Sequence, residues 1–308
     1  MHVILLGTAA GGGLPQWNCR CRNCQAARSG SGQVRPRSQS SVAISADRKR
    51  WFLLNASPDL ARQIESFPPL HPRGPGARQT PIQAVLLTNA DLDHTLGLLS
   101  LRENPDLHIY ASREIQDALS SGLALLPTLN RFCKTKVDRA PFTPQRLRHR
   151  DGTASSLVFR AIRVPGKSPR FAAGRKSAKP TGGCAIGYKI EDAKTGGCLV
   201  YVPEILALTP EVISLVGDGD LLLFDGSFWS ENEFAENGIG GRRAAQMGHI
   251  PIGGANGSLR GLAGVAAKEK VFVHINNTNP ILRENSPERR EVLAAGWKVG
   301  EDGMEFKF

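Results

Sequence analysis

The stretch "TNADLDHT" (88–95) sets four potential metal ligands, Asn89, Asp91, Asp93 and His94, within six residues. It falls where an apolar run, "AVLLT" (84–88), gives way to a helical pattern, "HTLGLLSL". The C-terminal end of a strand entering a helix is where α/β proteins assemble active sites. Taken alone, the segment fits a metal site and fits plain helix capping by aspartate equally well. Two further residues shift that balance: Asp225 closes the apolar run "LLLFDG", and His274 closes "KVFVHINN". An acid or imidazole ending such a strand needs a partner or a cleft mouth, because burying it alone is costly. His249 stands between them beside a glycine in "AAQMGHIPI". One shared site accounts for these residues better than three separate accidents.

A second constellation is "WNCRCRNCQ", in which Cys19, Cys21 and Cys24 place three thiolates at spacings that can converge on one ion. Thiolates this close in sequence are poorly placed to bridge one another, so metal is expected over disulfides. Zinc suits such a set, and a sulfur-rich closed site is structural rather than catalytic. The fourth ligand must come from elsewhere. Cys133, Cys184 and Cys198 are isolated.

The elements that must carry these groups are short and β-rich. Apolar strands are expected at 2–7, 40–45, 50–55, 84–88 and 108–112, then at 156–164, 184–190, 198–203, 221–225, 270–275 and 304–308. Helices are expected at 58–67, 93–103, 113–126, 209–217 and 286–296, the last two opening with Thr or Ser followed by Pro and Glu. Two strand sets with helices between them point to sheet-on-sheet packing with outer helical layers, in one domain spanning 1–308. A Pro- and Gly-rich basic loop at 164–183 could cover a cleft and supplies Lys167, Arg170 and Arg175. The formal charge of +11 is expected to lie in loops such as "SADRKR", "RFCKTKVDR" and "RFAAGRKSAK". No aromatic interleaving suggests base stacking, so nucleic acid is not an expected partner. No uninterrupted apolar run reaches about 18 residues, so no membrane span is expected. The apolar N-terminal stretch is short and lacks a basic lead-in, which favours a cytoplasmic protein. An edge strand at "MEFKF" would permit a homodimer.

The segments "GTAAGGGLPQWNCRCRNCQ", "RPRSQSS", "NASPD", "DHTLGLLSLRE", "MGHIPI" and "HINNTNPIL…ENSPER" run from residue 7 to 290. With Asp93-His94, Asp225 and His274 each following a strand, they resemble the metallo-β-lactamase superfamily. The cysteine cluster resembles its tRNase Z-like phosphodiesterase branch, and the whole chain is more similar still to the B family of pyrroloquinoline quinone (PQQ) synthesis. The resemblance implies an α/β metallo-β-lactamase-like four-layer αβ/βα sandwich and a role in making PQQ from a ribosomal precursor peptide. It implies Asp93, His94 and His274 as metal ligands, Asp225 as a bridging carboxylate and His249 as a catalytic histidine. Cys19, Cys21 and Cys24 match a zinc knuckle whose fourth position falls on Asn277.

The superfamily's His-x-His-x-Asp-His signature is altered here: Asn89 and Asp91 stand where its first two histidines belong, and "RVPGKSP" lacks a later one. A binuclear zinc site making hydroxide is therefore not expected. Two histidines and one carboxylate suit a single non-haem Fe2+ with room for O2 and substrate, Asp91 or Asp225 supporting. The resemblance, with which this ligand set agrees, implies hydroxylation of the tyrosine ring of a Glu–Tyr-derived PQQ precursor, with His249 moving protons. Lys167, Arg170 and Arg175 would bind the substrate's carboxylates, and other PQQ-synthesis proteins are the natural partners. The alternatives are a carrier or transport factor for PQQ or its precursor, and a metal-dependent hydrolase or phosphodiesterase.

Overall fold

Two mixed sheets of seven strands face one another in the computed structural model, which describes residues 1–172, 183–217 and 219–308. The N-terminal half supplies β1 (His2–Gly7), β2 (Ser41–Ser45), β3 (Trp51–Leu54), β4 (Ile82–Leu86), β5 (Asp106–Ala111) and β6 (Lys134–Arg139). The C-terminal half supplies β7 (Gln145–Arg148), β8 (Ala154–Arg163), β9 (Ile186–Asp192), β10 (Cys198–Val202), β11 (Leu221–Asp225), β12 (Glu269–Val273) and β13 (Lys298–Val299). The last strand, β14 (Glu305–Lys307), returns to the first sheet, whose order is β14-β1-β2-β3-β4-β5-β6. The second sheet runs β13-β12-β11-β10-β9-β8-β7.

Side-chain alternation explains the layers. In β11, Leu221 and Leu223 join the core between the sheets, which also holds Leu5, Leu53 and Val85 of the first sheet. Leu222 and Phe224 point the other way, into a second core with Val212, Val216, Leu262 and Val292 of the outer helices. Both faces are covered, which is why the strand reads as unbroken apolar sequence. The result is the four-layer αβ/βα sandwich. Between the sheets, the buried Tyr188 hydroxyl donates to Leu87 O at 2.9 Å, stitching one sheet to the other.

Several expectations are altered locally. The run 113–126 is not one helix: Arg113–Asp117 passes into a π-turn at Ala118–Gly122, and a new helix, Leu125–Leu129, starts after Ala124 at φ +56°. The segment "RFCKTKVDR" is not a loop but contains β6, a sheet-edge strand whose charged side chains face solvent while it pairs in parallel with β5. Thr209 and Ser286 do cap their helices, accepting from Val212 N and Arg289 N. The "MEFKF" strand is at a sheet edge, as β14 against β1. Among the described residues no helix is long and apolar enough to cross a membrane.

The motif "NASPD" (55–59) follows β3 and anchors the turn that bears Asp93 and His94. Ala56 N donates to His94 O at 2.8 Å, and Gly97 N donates to Ala56 O at 2.9 Å. A Cβ on Gly97 would stand 2.1 Å from Ser57 O, so only glycine permits this approach of two backbones. Gly97→Ala should cost on the order of 3 kcal/mol and lower the melting temperature by about 5 °C or more. Gly264→Ala, where a Cβ meets nothing within 4 Å, should change it little. Equal melting temperatures for the two variants would refute this role of Gly97.

Candidate metal centre and cleft

A cleft of about 540 Å³ opens at the ends of β10, β11 and β12, with Asp91, Asp93, Glu204, His249 and His274 among its walls. His94 lies beneath it, fully buried. A second cleft of about 600 Å³, near Arg37, Asp59 and Gln63, contains none of the three metal-competent side-chain groups found among the described residues.

Three histidines are oriented through their Nδ1 atoms, and the hydrogen-bond inventory fixes each tautomer. Asn89 Nδ2 donates to Asp91 Oδ2 at 3.1 Å and to Glu204, so its Oδ1 is the atom facing His94 Nδ1 at 2.7 Å. An amide oxygen can only accept, so His94 Nδ1 carries the proton and Nε2 keeps its lone pair. That Nε2 is buried and has no hydrogen-bond partner. At the end of β12, Ser227 Oγ donates to His274 O at 2.9 Å and must therefore accept from His274 Nδ1 at 2.8 Å. His274 Nε2 meets Asp93 Oδ2 at 3.0 Å. His249 Nδ1 meets Asp225 Oδ2 at 2.8 Å, and its ring stacks on His274 at 5.3 Å between centroids.

Ligand atoms of Asp93, His94 and His274 all lie within 4.8 Å of one another. This is a donor set that fits one metal ion: an orphaned imidazole nitrogen beside a second imidazole and a carboxylate. Burial pushes His94 down to about 4, keeping it neutral as a ligand must be. Burial opposes charge on Asp93, but His94 and the hydrogen bond from His274 outweigh it and hold the carboxyl well below its usual range. The same contact outweighs burial at His274 and raises it.

The structure brings Asn89, Asp91 and Asp225 to this centre in roles their sequence positions did not reveal. Asn89 is consumed in holding His94. Asp225 accepts from Ile205 N at 3.1 Å and Ser227 N at 3.0 Å as well as from His249, so backbone donors occupy both its oxygens. Asp225, His249 and His274 nonetheless form a second compact group within the same 4.8 Å limit. Glu204 was missed by sequence reasoning. It ends "CLVYVPE" as Asp225 ends its own apolar strand, and that parallel was the available signal. Glu204 is pushed well above the carboxylate range by burial and by Asp91 and Asp225. Burial and Asp93 push Asp91 up to about 6.

The cysteines converge as expected, with Asn277 over them: its Nδ2 lies 3.1, 3.6 and 3.2 Å from Sγ of Cys19, Cys21 and Cys24. Turned over, the same amide would present Oδ1 at that fourth vertex. Asn23 Nδ2, from the helix Arg22–Arg28, donates to Asn277 O at 2.9 Å and Asn279 O at 2.8 Å, tying the knuckle to the loop after β12. Burial raises the Cys21 thiol to about 12, which marks a pocket where a bare thiolate would be disfavoured without a cation. Lys167 and Arg170 line the cleft; Arg175, with residues 173–182 of the 164–183 loop, lies outside the described residues.

Residues 50–275 match the model of the Beta-lactamase superfamily domain, and the chain belongs to that superfamily. It is 42% identical over its whole length to coenzyme PQQ synthesis protein B of Methylobacterium nodulans, covering all of that protein. A crystal structure of Zn2+-bound PqqB from Methylobacterium extorquens superposes with a TM-score of 0.89 at 40% identity, each chain fully covered. The chain belongs to this coenzyme PQQ synthesis protein B family. A diphosphatase of the PhnP family, 18% identical with a TM-score of 0.69 over 100% of this chain and 97% of that one, shares the fold.

Glu233 ties this region together, accepting from Trp229 N at 2.6 Å and from Thr278 Oγ1. Burial raises it to about 7 from an ordinary 4.5, so folding favours its neutral form. That contribution to stability is full below about 4.5 and lost as the pH rises through 7. Asp91 and Glu204 act in the same direction. Metal-free protein should therefore melt lower at pH 8 than at pH 5, and Glu233→Gln should shrink that difference by a few °C (about 2–4 °C per kcal/mol). A pH dependence unchanged by the substitution would remove Glu233 from the account. At the knuckle, Cys24→Ala is expected to lose zinc by elemental analysis, while His94→Ala keeps it; zinc retained by Cys24→Ala would count against the cysteine site.

Proposed function

We propose that this chain acts in PQQ biosynthesis as a metal-dependent oxygenase that hydroxylates the tyrosine-derived ring of a Glu–Tyr precursor. The observation that carries this reading is the lone-pair nitrogen of His94, buried and unpartnered beside Asp93 and His274, while Asn89 is used up as its anchor. That leaves two imidazoles and one carboxylate for a single ion, the composition associated with non-haem iron. Fe2+ held there would bind and activate O2; one oxygen atom would enter the ring and the other leave as water, with two electrons and two protons drawn from an external small-molecule reductant.

This chain's own residues do the rest. Ser227 and Asn89 orient His274 and His94 so that each offers Nε2. Asp225 is proposed as the group that fixes the His249 ring rather than as a bridging ligand, leaving His249 Nε2 to take or return a proton at the substrate. Asp91 supports the centre through Asn89. Lys167, Arg170 and Arg175 draw in carboxylates. Cys19, Cys21 and Cys24, with Asn277 as fourth partner, hold a structural Zn2+. Other PQQ-synthesis proteins are proposed to deliver and receive the small molecule, and the open edge of β14 is where a homodimer would pair.

The test is to load the protein anaerobically with Fe2+, add O2, a reductant such as ascorbate and a synthetic Glu–Tyr-linked precursor, and follow O2 uptake and product mass. One oxygen atom from 18O2 should enter the ring. His94→Ala should abolish this, and Asp225→Asn should lower kcat by about 10²-fold with little change in KM. Tight precursor binding without oxygen transfer would favour the carrier role instead. Zinc-dependent phosphodiester cleavage abolished by His94→Ala would favour hydrolysis.

A further inference from the structure

The cleft is divided by charge from floor to rim. Its floor is acidic, with Asp91, Asp93 and Glu204 around the histidines. Its rim carries two exposed arginines, Arg170 and Arg242, that no acid neutralises: among the described residues neither forms an ion pair or hydrogen bond. The third rim cation, Lys167, is engaged by Gln246 O. Adjacent to Arg242, Arg243 stands at the N-cap of the helix Ala244–Met247, its backbone N donating to Gln246 Oε1 at 3.0 Å, and does not line the cleft. Between rim and floor stands an aromatic wall: Phe228 packs edge-on against Phe234 at 5.3 Å and against His249 at 5.7 Å.

We infer that Arg242 and Arg170 form a carboxylate-binding rim that orients an aromatic polycarboxylate, its carboxylates outward and its ring against Phe228 above the metal-ligating floor. This rests on the reading above and goes further, assigning specificity to Arg242 and an end-to-end orientation to the substrate. A guanidinium presents a planar fork matched to a carboxylate, and a free one at a cleft mouth can make that pair without first breaking another. Carboxylates pushed to the floor would meet the ionised Asp93, whereas a ring there meets an aromatic face. The two ends of the cleft thus reject opposite ends of the ligand, and orientation follows from repulsion as much as attraction.

Calorimetric titration of the full-length protein as purified, at fixed ionic strength, tests this with benzene-1,3,5-tricarboxylate and benzoate as probes. Wild type should bind the tricarboxylate at least about tenfold more tightly than benzoate. Arg242→Gln and Arg170→Gln should each weaken the tricarboxylate about 5- to 20-fold and benzoate less than about twofold. Arg242→Lys should recover part of the loss, and the remote Arg260→Gln should match wild type. Equal loss for both probes, no loss, or the same loss with Arg260→Gln would overturn the inference. The titrations contain neither iron nor O2 turnover, so the rim can stand where hydroxylation fails. Conversely, hydroxylation with unaltered KM in Arg242→Gln would overturn the rim and leave the reaction intact.

Discussion

Each histidine of the cleft donates its Nδ1–H to an acceptor fixed in the scaffold: Asn89 Oδ1, Ser227 Oγ or Asp225 Oδ2. That one constraint decides which nitrogen each ring offers, and the rest of the site follows from it. The acceptors sit at or just beyond the ends of β4 and β11, so strand register in the sandwich is translated into ring orientation. At the end of β12 the backbone of His274 itself turns left-handed, φ +55°, an uncommon conformation for a side-chain-bearing residue. The Ser227 hydroxyl holds it there by donating to its carbonyl. A ring oriented this firmly loses little entropy on taking a ligand, which is the physical sense of preorganisation.

Asn89 shows how one change of residue type redirects a site. A histidine at this position could offer a ring nitrogen to a second cation; an amide instead accepts from His94 and donates to two carboxylates at once. The carboxylates it bridges, Asp91 and Glu204, are both raised by burial and by acidic neighbours, Asp91 to about 6 and Glu204 well above its ordinary range, so it is chiefly the charge of Glu204 that is suppressed. Asp93, held well below its usual range, is the strongly ionised acid opposite the two imidazoles. Fewer negative charges mean weaker pull on a second divalent ion and more tolerance for an anionic substrate at the mouth.

The fold was largely legible because strands buried on both faces read as apolar runs whatever their neighbours are. Strand ends were legible for the same reason: a single acid or imidazole closing such a run, as at Asp225 and His274, has few reasons to be there. Glu204 met that criterion too, yet its meaning lies in Asn89, 115 positions away, and nothing local announces the pair. β6 escaped because an edge strand carries charges at alternate positions and its composition mimics a loop. The helix expected at 113–126 breaks at Gly122–Ala124, where the local pattern gave no warning of a π-turn. Arg242 was one arginine among many; only its place on the cleft and its lack of partners distinguish it.

In the proposed site a single ion is held by Asp93, His94 and His274, distinct from the one at the cysteines. Anomalous diffraction from iron-reconstituted crystals, with data on either side of the iron and zinc absorption edges, tests it directly. An iron peak contacting His94 Nε2 and His274 Nε2 is expected, together with a zinc peak enclosed by Cys19, Cys21 and Cys24. Two adjacent peaks in the cleft, with one coordinated by Asp91 and Glu204, or no peak near His94 at all, would contradict it.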